Sequence, residues 1–126
     1  MQVSTCLWIG IGGFFGAVAR YGINTWLTTR WGTAFPYGTL FVNVSGSFVL
    51  CLMIAMLSRG VDVAPALRLA LTVGFLGSYT TFSTFSADTL LLLENGYTLR
   101  GLAYVVGSVV GGVLMGVAGL LLGRSL

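Results

Sequence analysis

The sequence predicts an all-α membrane protein of four transmembrane helices, the third broken near mid-membrane, in a single domain over residues 1–126. Three observations predict it. Apolar residues make up 56% of the chain and charged residues 7%, with a mean hydropathy of +0.97. A soluble domain needs far more charge to cover its surface, and a disordered chain carries far less apolar surface. Six arginines and three acids also bound four charge-free stretches, 1–19, 31–58, 69–87 and 101–123, each able to contain a spanning helix of roughly 20 residues. Within the third stretch, glycine and hydroxyl residues replace the aliphatic side chains that lipid would select.

The first helix is placed near 3–27, with Arg20 inside it and Gly12 and Gly16 forming a small-xxx-small pair. It lacks a basic n-region and its apolar stretch is too long for a signal peptide, so it is read as a retained span. Thr29 to Pro36 reads as a loop through Arg30, Gly32 and Pro36. The second helix is placed near 37–57. Thr39, Asn43, Ser47 and Cys51 recur every four residues along one of its faces. Ser58 to Pro65 is the next loop, and Pro65 suits the first turn of the third helix, near 66–93. Asn95-Gly96 marks the last turn. The fourth helix is placed near 101–123; it carries Tyr104 and Ser108 four apart and the glycine pairs 107/111, 112/116 and 119/123. Such pairs serve equally as packing surfaces within one subunit or between two.

Between Leu71 and Asp88 the third span holds Gly74, Gly77, Ser78, Thr80, Thr81, Ser83, Thr84 and Ser86. A break around Gly77 to Thr81 would release backbone groups at a depth where irregular chain survives only inside protein or beside a cavity. Transporters and channels use such breaks to hold ions. An unbroken helix whose hydroxyls bond back to the preceding turn is the alternative. Phe82 and Phe85 share a face just beyond, and aromatic ring edges carry partial positive charge that suits a small anion; core packing is the plainer use of two such rings. Together the three polar faces outline a pathway for something small and dehydrated, without a mid-membrane cation to hold an anion too tightly.

No histidine is present, and the three acids are scattered, so no general base, nucleophile–base pair or metal cluster is legible. The chain is therefore read as a non-enzyme, and a net charge of +3 split among loops gives no reason to expect nucleic acid. Four spans would put Arg59, Arg68 and Arg124 on one side of the bilayer and Arg30, Arg100 and Arg20 on the other. Orientation follows the Lys/Arg bias of short loops. An even split is either the noise of few charges or the mark of an antiparallel, dual-topology homodimer.

Gly12-Gly13, Gly16-Ala17, Arg20-Tyr21, Gly38-Thr39-Leu40, Val42-Asn43, Gly46, Gly74-Phe75, Gly77 and the run Thr80-Thr81-Phe82-Ser83-Thr84-Phe85-Ser86-Ala87 resemble the Fluc (CrcB) fluoride channels. The resemblance covers nearly the whole chain. It implies an antiparallel, dual-topology homodimer in the bacterial inner membrane that exports toxic fluoride passively and rejects chloride. It further implies that Phe82 and Phe85 offer ring edges to fluoride, that Asn43 offers an amide donor, and that Ser83, Thr84, Tyr104 and Ser108 belong to the polar lining. Arg20 would stand in a vestibule. A structural sodium ion at the dimer centre would sit on the main-chain carbonyls of Gly77 and Thr80 of both subunits. Two positions depart from the family pattern: Asp88 stands where glutamate is common, and Gly112 where some relatives have serine.

Two rival readings are a small dual-topology exporter of organic cations and a non-conducting accessory subunit. The exporter needs a membrane-embedded carboxylate, for which Asp88 is the only candidate. The accessory subunit leaves three polar helix faces without a use.

Overall fold

The computed structural model describes residues 3–126, and every regular element in it is helical. Helix α1 runs Val3–Trp31 and α2 Tyr37–Ser58. The third segment is composite: α3 (Pro65–Leu69), a π-helical stretch (Ala70–Leu76), α4 (Gly77–Tyr79), two extended residues, and α5 (Phe82–Glu94). Helix α6 runs Thr98–Ser125. Three of these helices, α1, α2 and α6, are each long and apolar enough to cross a membrane.

The elements follow the sequence closely and differ at their ends. Helix α1 continues four residues past its expected end, taking in Arg30, whose charge in the last turn faces the negative end of the helix dipole. The expected loop therefore shortens to residues 32–36. Pro65 opens α3, as its missing N–H permits. Helices α2 and α5 end in the same way. Gly60 (φ 92°) and Gly96 (φ 79°) take the left-handed conformation, Gly60 N–H bonds to Leu57 O and Val61 N–H to Met56 O, and Gly96 N–H and Tyr97 N–H do the same to Leu93 O and Leu92 O. Each motif satisfies two carbonyls that the helix end leaves open.

Glycine faces set the packing. Helix α6 lies along α2, and α1 along the π-helical stretch. A Cβ on Gly12 would land on the Ala70 carbonyl, and one on Gly16 on that of Phe75. On α6, a Cβ on Gly123 would meet Leu52 O and the Ala55 methyl, both at 2.7 Å, and one on Gly119 would come closer still to the Phe48 carbonyl. The pairs 12/16 and 119/123 are thus contacts within the subunit, whereas Gly107 has nothing within 4 Å. The core that results is small: Val42, Leu76 and Tyr79 at its centre, with Ala19, Ile23, Leu50, Met53 and Phe75 around them. Phe14, Phe15, Trp26, Val113 and Leu114 point outward, an arrangement that water would penalise and lipid does not.

The break in the third segment is narrower than the window Gly77 to Thr81 expected from the sequence. Gly77 to Tyr79 remain helical, and only Thr80 (φ −83°, ψ 156°) and Thr81 (φ −151°, ψ 117°) are extended. Part of the hydroxyl run does bond back to the preceding turn: Thr80 to Leu76 O, Ser86 to Phe82 O and Thr89 to Phe85 O. Those bonds saturate hydroxyls within a helix; they leave the gap at Thr80–Thr81 to be held from outside the segment.

Candidate functional site

The gap is held by Asn43 of α2. Its Oδ1 accepts the Thr81 N–H at 2.7 Å, and its Nδ2 donates to the Thr81 carbonyl at 3.0 Å. One amide side chain thus replaces both helical partners of Thr81 and keeps one N–H in hand. The Asn43 carbonyl accepts from Ser47 one turn on, at 2.8 Å. Thr81 then caps α5: its Oγ1 accepts the Thr84 N–H at 3.2 Å, donates to Thr84 Oγ1 at 3.0 Å, and lies 3.3 Å from Ser83 Oγ. This is the side-chain cap a helix start requires.

These bonds have a consequence for two carbonyls. In a continuous helix the Thr81 N–H would serve Gly77 O, and the Thr84 N–H would serve Thr80 O. Asn43 and the Thr81 hydroxyl take those donors instead. Gly77 and Thr80 are therefore two of the four carbonyls, 77–80, that lose their helical donors across the break, and Gly77 lies exposed on the surface of the chain.

Beside the break is an open groove of about 360 Å³. Gly77, Thr80, Asn43, Ser47, Phe82, Phe85 and Ser108 all line it. Among the described residues no charged side chain does. Ser108 Oγ is buried and has no hydrogen-bond partner among the described residues, so a donor stands ready on the α6 wall. Phe82 is 79% exposed, with its ring centroid 5.7 Å from that of Phe85 at a 44° tilt. Phe85 in turn lies 5.3 Å from Tyr104.

The structure does not gather every expected residue at that groove. Tyr104 is fully buried behind it, and its hydroxyl donates to Asp88 Oδ2 at 3.2 Å. Thr39 Oγ1 donates to the same oxygen at 2.9 Å. Arg20 opens onto a separate cavity of about 210 Å³, with Asn24, Thr39, Thr81 and Thr84 in its wall. Ser83 is exposed and lines neither space. The Thr39–Asp88–Tyr104 cluster was not legible as a unit: Thr39 reads as one step of a polar stripe, and Asp88 as an acid near a span end. The signal that could have found it is the need of a carboxylate at that depth for donors.

A bundle with outward apolar faces, a broken third segment and an uncharged, donor-bearing groove at the break is the architecture of a small multi-pass membrane protein. The chain belongs to the CrcB family: the family model described as CrcB-like protein, Camphor Resistance (CrcB), matches residues 7–120. It is 47% identical over 120 residues to the fluoride-specific ion channel FluC of Rhizobium meliloti (strain 1021), covering 95% of this chain and 96% of that one. It is 42% identical over 118 residues to the protein of the same name from Acidobacterium capsulatum, covering 94% of each. With that of Chloroflexus aurantiacus it shares 41% over 122 residues, 97% of each chain.

Proposed function

We propose that this protein is a fluoride-selective channel that lets fluoride leave the cell passively across the bacterial inner membrane and so relieves fluoride toxicity. The observation that carries the reading is the uncharged groove beside the break, with the unpartnered Ser108 hydroxyl on one wall and the Phe82 and Phe85 rings on the other. A small anion that leaves water needs short, strong donors, and hydroxyls, an amide N–H and ring edges supply them without a fixed cation that would trap it. Chloride is larger and accepts hydrogen bonds more weakly, so the same groove returns less of its hydration energy. The names of the relatives point to the same ion.

In this reading the working unit is an antiparallel, dual-topology homodimer with four spans per subunit, the third span being the segment from Pro65 to Glu94. The exposure of Phe82 and Gly77 supports a partner at this face, and the even arginine split supports insertion both ways up. The Gly77 and Thr80 carbonyls fit a structural sodium ion: they are hard, neutral oxygens without helical donors, and the groove beside them has no carboxylate. Sodium there would offset the carbonyl dipoles and join the subunits. Exchange of sodium for a large organic cation is therefore expected to lower both dimer content, read by size exclusion, and fluoride flux. Unchanged assembly and flux would remove the ion from this account.

The deciding experiment is electrode-recorded anion efflux from loaded proteoliposomes. Fluoride is expected to leave fast and chloride at background. Phe82→Ile and Phe85→Ile retain an apolar side chain and remove the ring edge; each is expected to cut fluoride flux at least tenfold while the dimer persists, more than an apolar core swap does to structure. Comparable fluoride and chloride rates, or normal flux in both variants, would overturn the assignment. Proton-coupled efflux of an organic cation would favour the exporter with Asp88 as its carboxylate, and no flux of either kind the accessory subunit.

A further inference from the structure

A second polar cavity, of about 440 Å³, lies where α5 turns into α6. Asp88, Asn95, Tyr97 and Arg100 line it, with Thr33 and Ala34 from the loop before α2. Asp88 belongs to both this cavity and the aromatic line described above, since its Oδ2 accepts from Tyr104, whose ring packs on Phe85. Phe82, Phe85, Tyr104 and Asp88 therefore form a series of contacts from the groove to this cavity, and Arg100 stands on the cavity's wall at the exposed start of α6. The bonds to Asp88 come from Thr39 and Tyr104, and the contacts of Arg100 are elsewhere: its guanidinium sits 4.7 Å from the centre of the Tyr97 ring and reaches the Ala34 carbonyl only at 3.5 Å. A cation and a carboxylate thus share one cavity and are held by different partners.

The position of Arg100 is unfavourable by local rules. It lies in the first turn of α6, where the helix dipole is already positive and a cation is disfavoured. Residues that break a local rule concentrate at functional places. Here the broken rule adds positive potential to a cavity whose inner wall bears a carboxylate. An anion arriving from water would otherwise meet that negative charge first.

Resting on the fluoride-channel reading, we propose that this cavity is an anion mouth of the pathway and that Arg100 is its steering charge. Arg100 offsets the Asp88 field and raises the local anion concentration; it does not coordinate the ion at its narrowest point. Fixed charge at a mouth acts through the long-range field, so its effect depends on salt. The screening length is about 30 Å at 0.01 M and about 3 Å at 1 M, and steering of this kind changes entry rates by roughly tenfold or more.

The test is fluoride efflux at sub-saturating fluoride from proteoliposomes of the wild type, R100Q and R100K, at low ionic strength and at high ionic strength set with an impermeant organic salt. At low ionic strength R100Q is expected to lose about tenfold or more in flux, the range steering commands, and R100K to stay close to wild type. At high ionic strength the three rates should converge. Equal flux for R100Q and wild type at low ionic strength would overturn the proposal. So would a deficit that persists in high salt, or an R100K as slow as R100Q, because both mark lost contacts to Tyr97 and Ala34 instead of lost charge. R100K keeps the charge, so it tests the proposal even if R100Q assembles poorly. A wild type that passes no fluoride at all would sink the channel reading and this proposal with it, a result distinct from all the others.

Discussion

Replacing Asn43 with leucine is expected to abolish fluoride flux and to destabilise the protein by several kcal/mol. Leucine has the same number of side-chain heavy atoms and the same branching as asparagine, but its methyl groups are bulkier, so some overpacking adds to the loss. What disappears is the pair of bonds to Thr81, at 2.7 Å from its N–H and 3.0 Å to its carbonyl. Thr81 is 8% exposed, so little solvent contact is available to replace the lost partner. Each buried backbone group left unpaired costs about 1–3 kcal/mol. The chain can escape only by returning the Thr81 N–H to Gly77 O, which straightens the third segment and erases the groove wall, or by losing its fold. Asn43→Asp is the informative companion, because it keeps the acceptor for the Thr81 N–H but sets an oxygen against the Thr81 carbonyl and a negative charge in the groove, so it should lose fluoride flux as leucine does. Thermal melting in detergent and efflux from proteoliposomes read the two effects. An Asn43→Leu protein that melts and conducts like wild type would show that the break holds itself open.

The second large effect is expected from adding one methyl group to Gly12. Its Cβ would collide with the Ala70 carbonyl group and lie 3.0 Å from Phe75 N. Both obstacles are backbone, so no rotamer change relieves the contact; α1 must move away from the π-helical stretch. Overpacking of this kind costs about 1–3 kcal/mol in ordinary cores, and a backbone obstacle places Gly12→Ala at the upper end. Gly10→Ala is the control on the same helix. A Cβ there has nothing within 4 Å, and replacing helical glycine with alanine gains up to about 1 kcal/mol. The two variants should therefore move the melting temperature in opposite directions, with Gly12→Ala also losing monodispersity. Equal melting temperatures would mean that α1 does not press on Ala70 as described.

Where the helices run was legible in the amino-acid chain. Hydropathy and the placement of nine charges are sums over many residues, and they located α1, α2 and α6 within a few positions. Pro65 and Gly96 marked their turns because the constraint each residue imposes is its own backbone's. The glycine and hydroxyl run likewise announced a break, since such residues fit neither a lipid-facing helix nor a packed one. What that break is made of depends on the packing around it. Which hydroxyls turn back into the helix, as Thr80, Ser86 and Thr89 do, and which cap or bridge, as Thr81 and Thr39 do, depends on what stands opposite them. The π-helical stretch at Ala70–Leu76 also has no local signature, because it matches the glycine face of α1 some sixty positions away. The clamp from Asn43 to Thr81 spans 38 residues of chain and the bond from Thr39 to Asp88 spans 49. Local propensity carries no information over such separations. Partners that far apart are chosen by helix packing, and here the packing follows from notches where glycine lets one backbone rest on another.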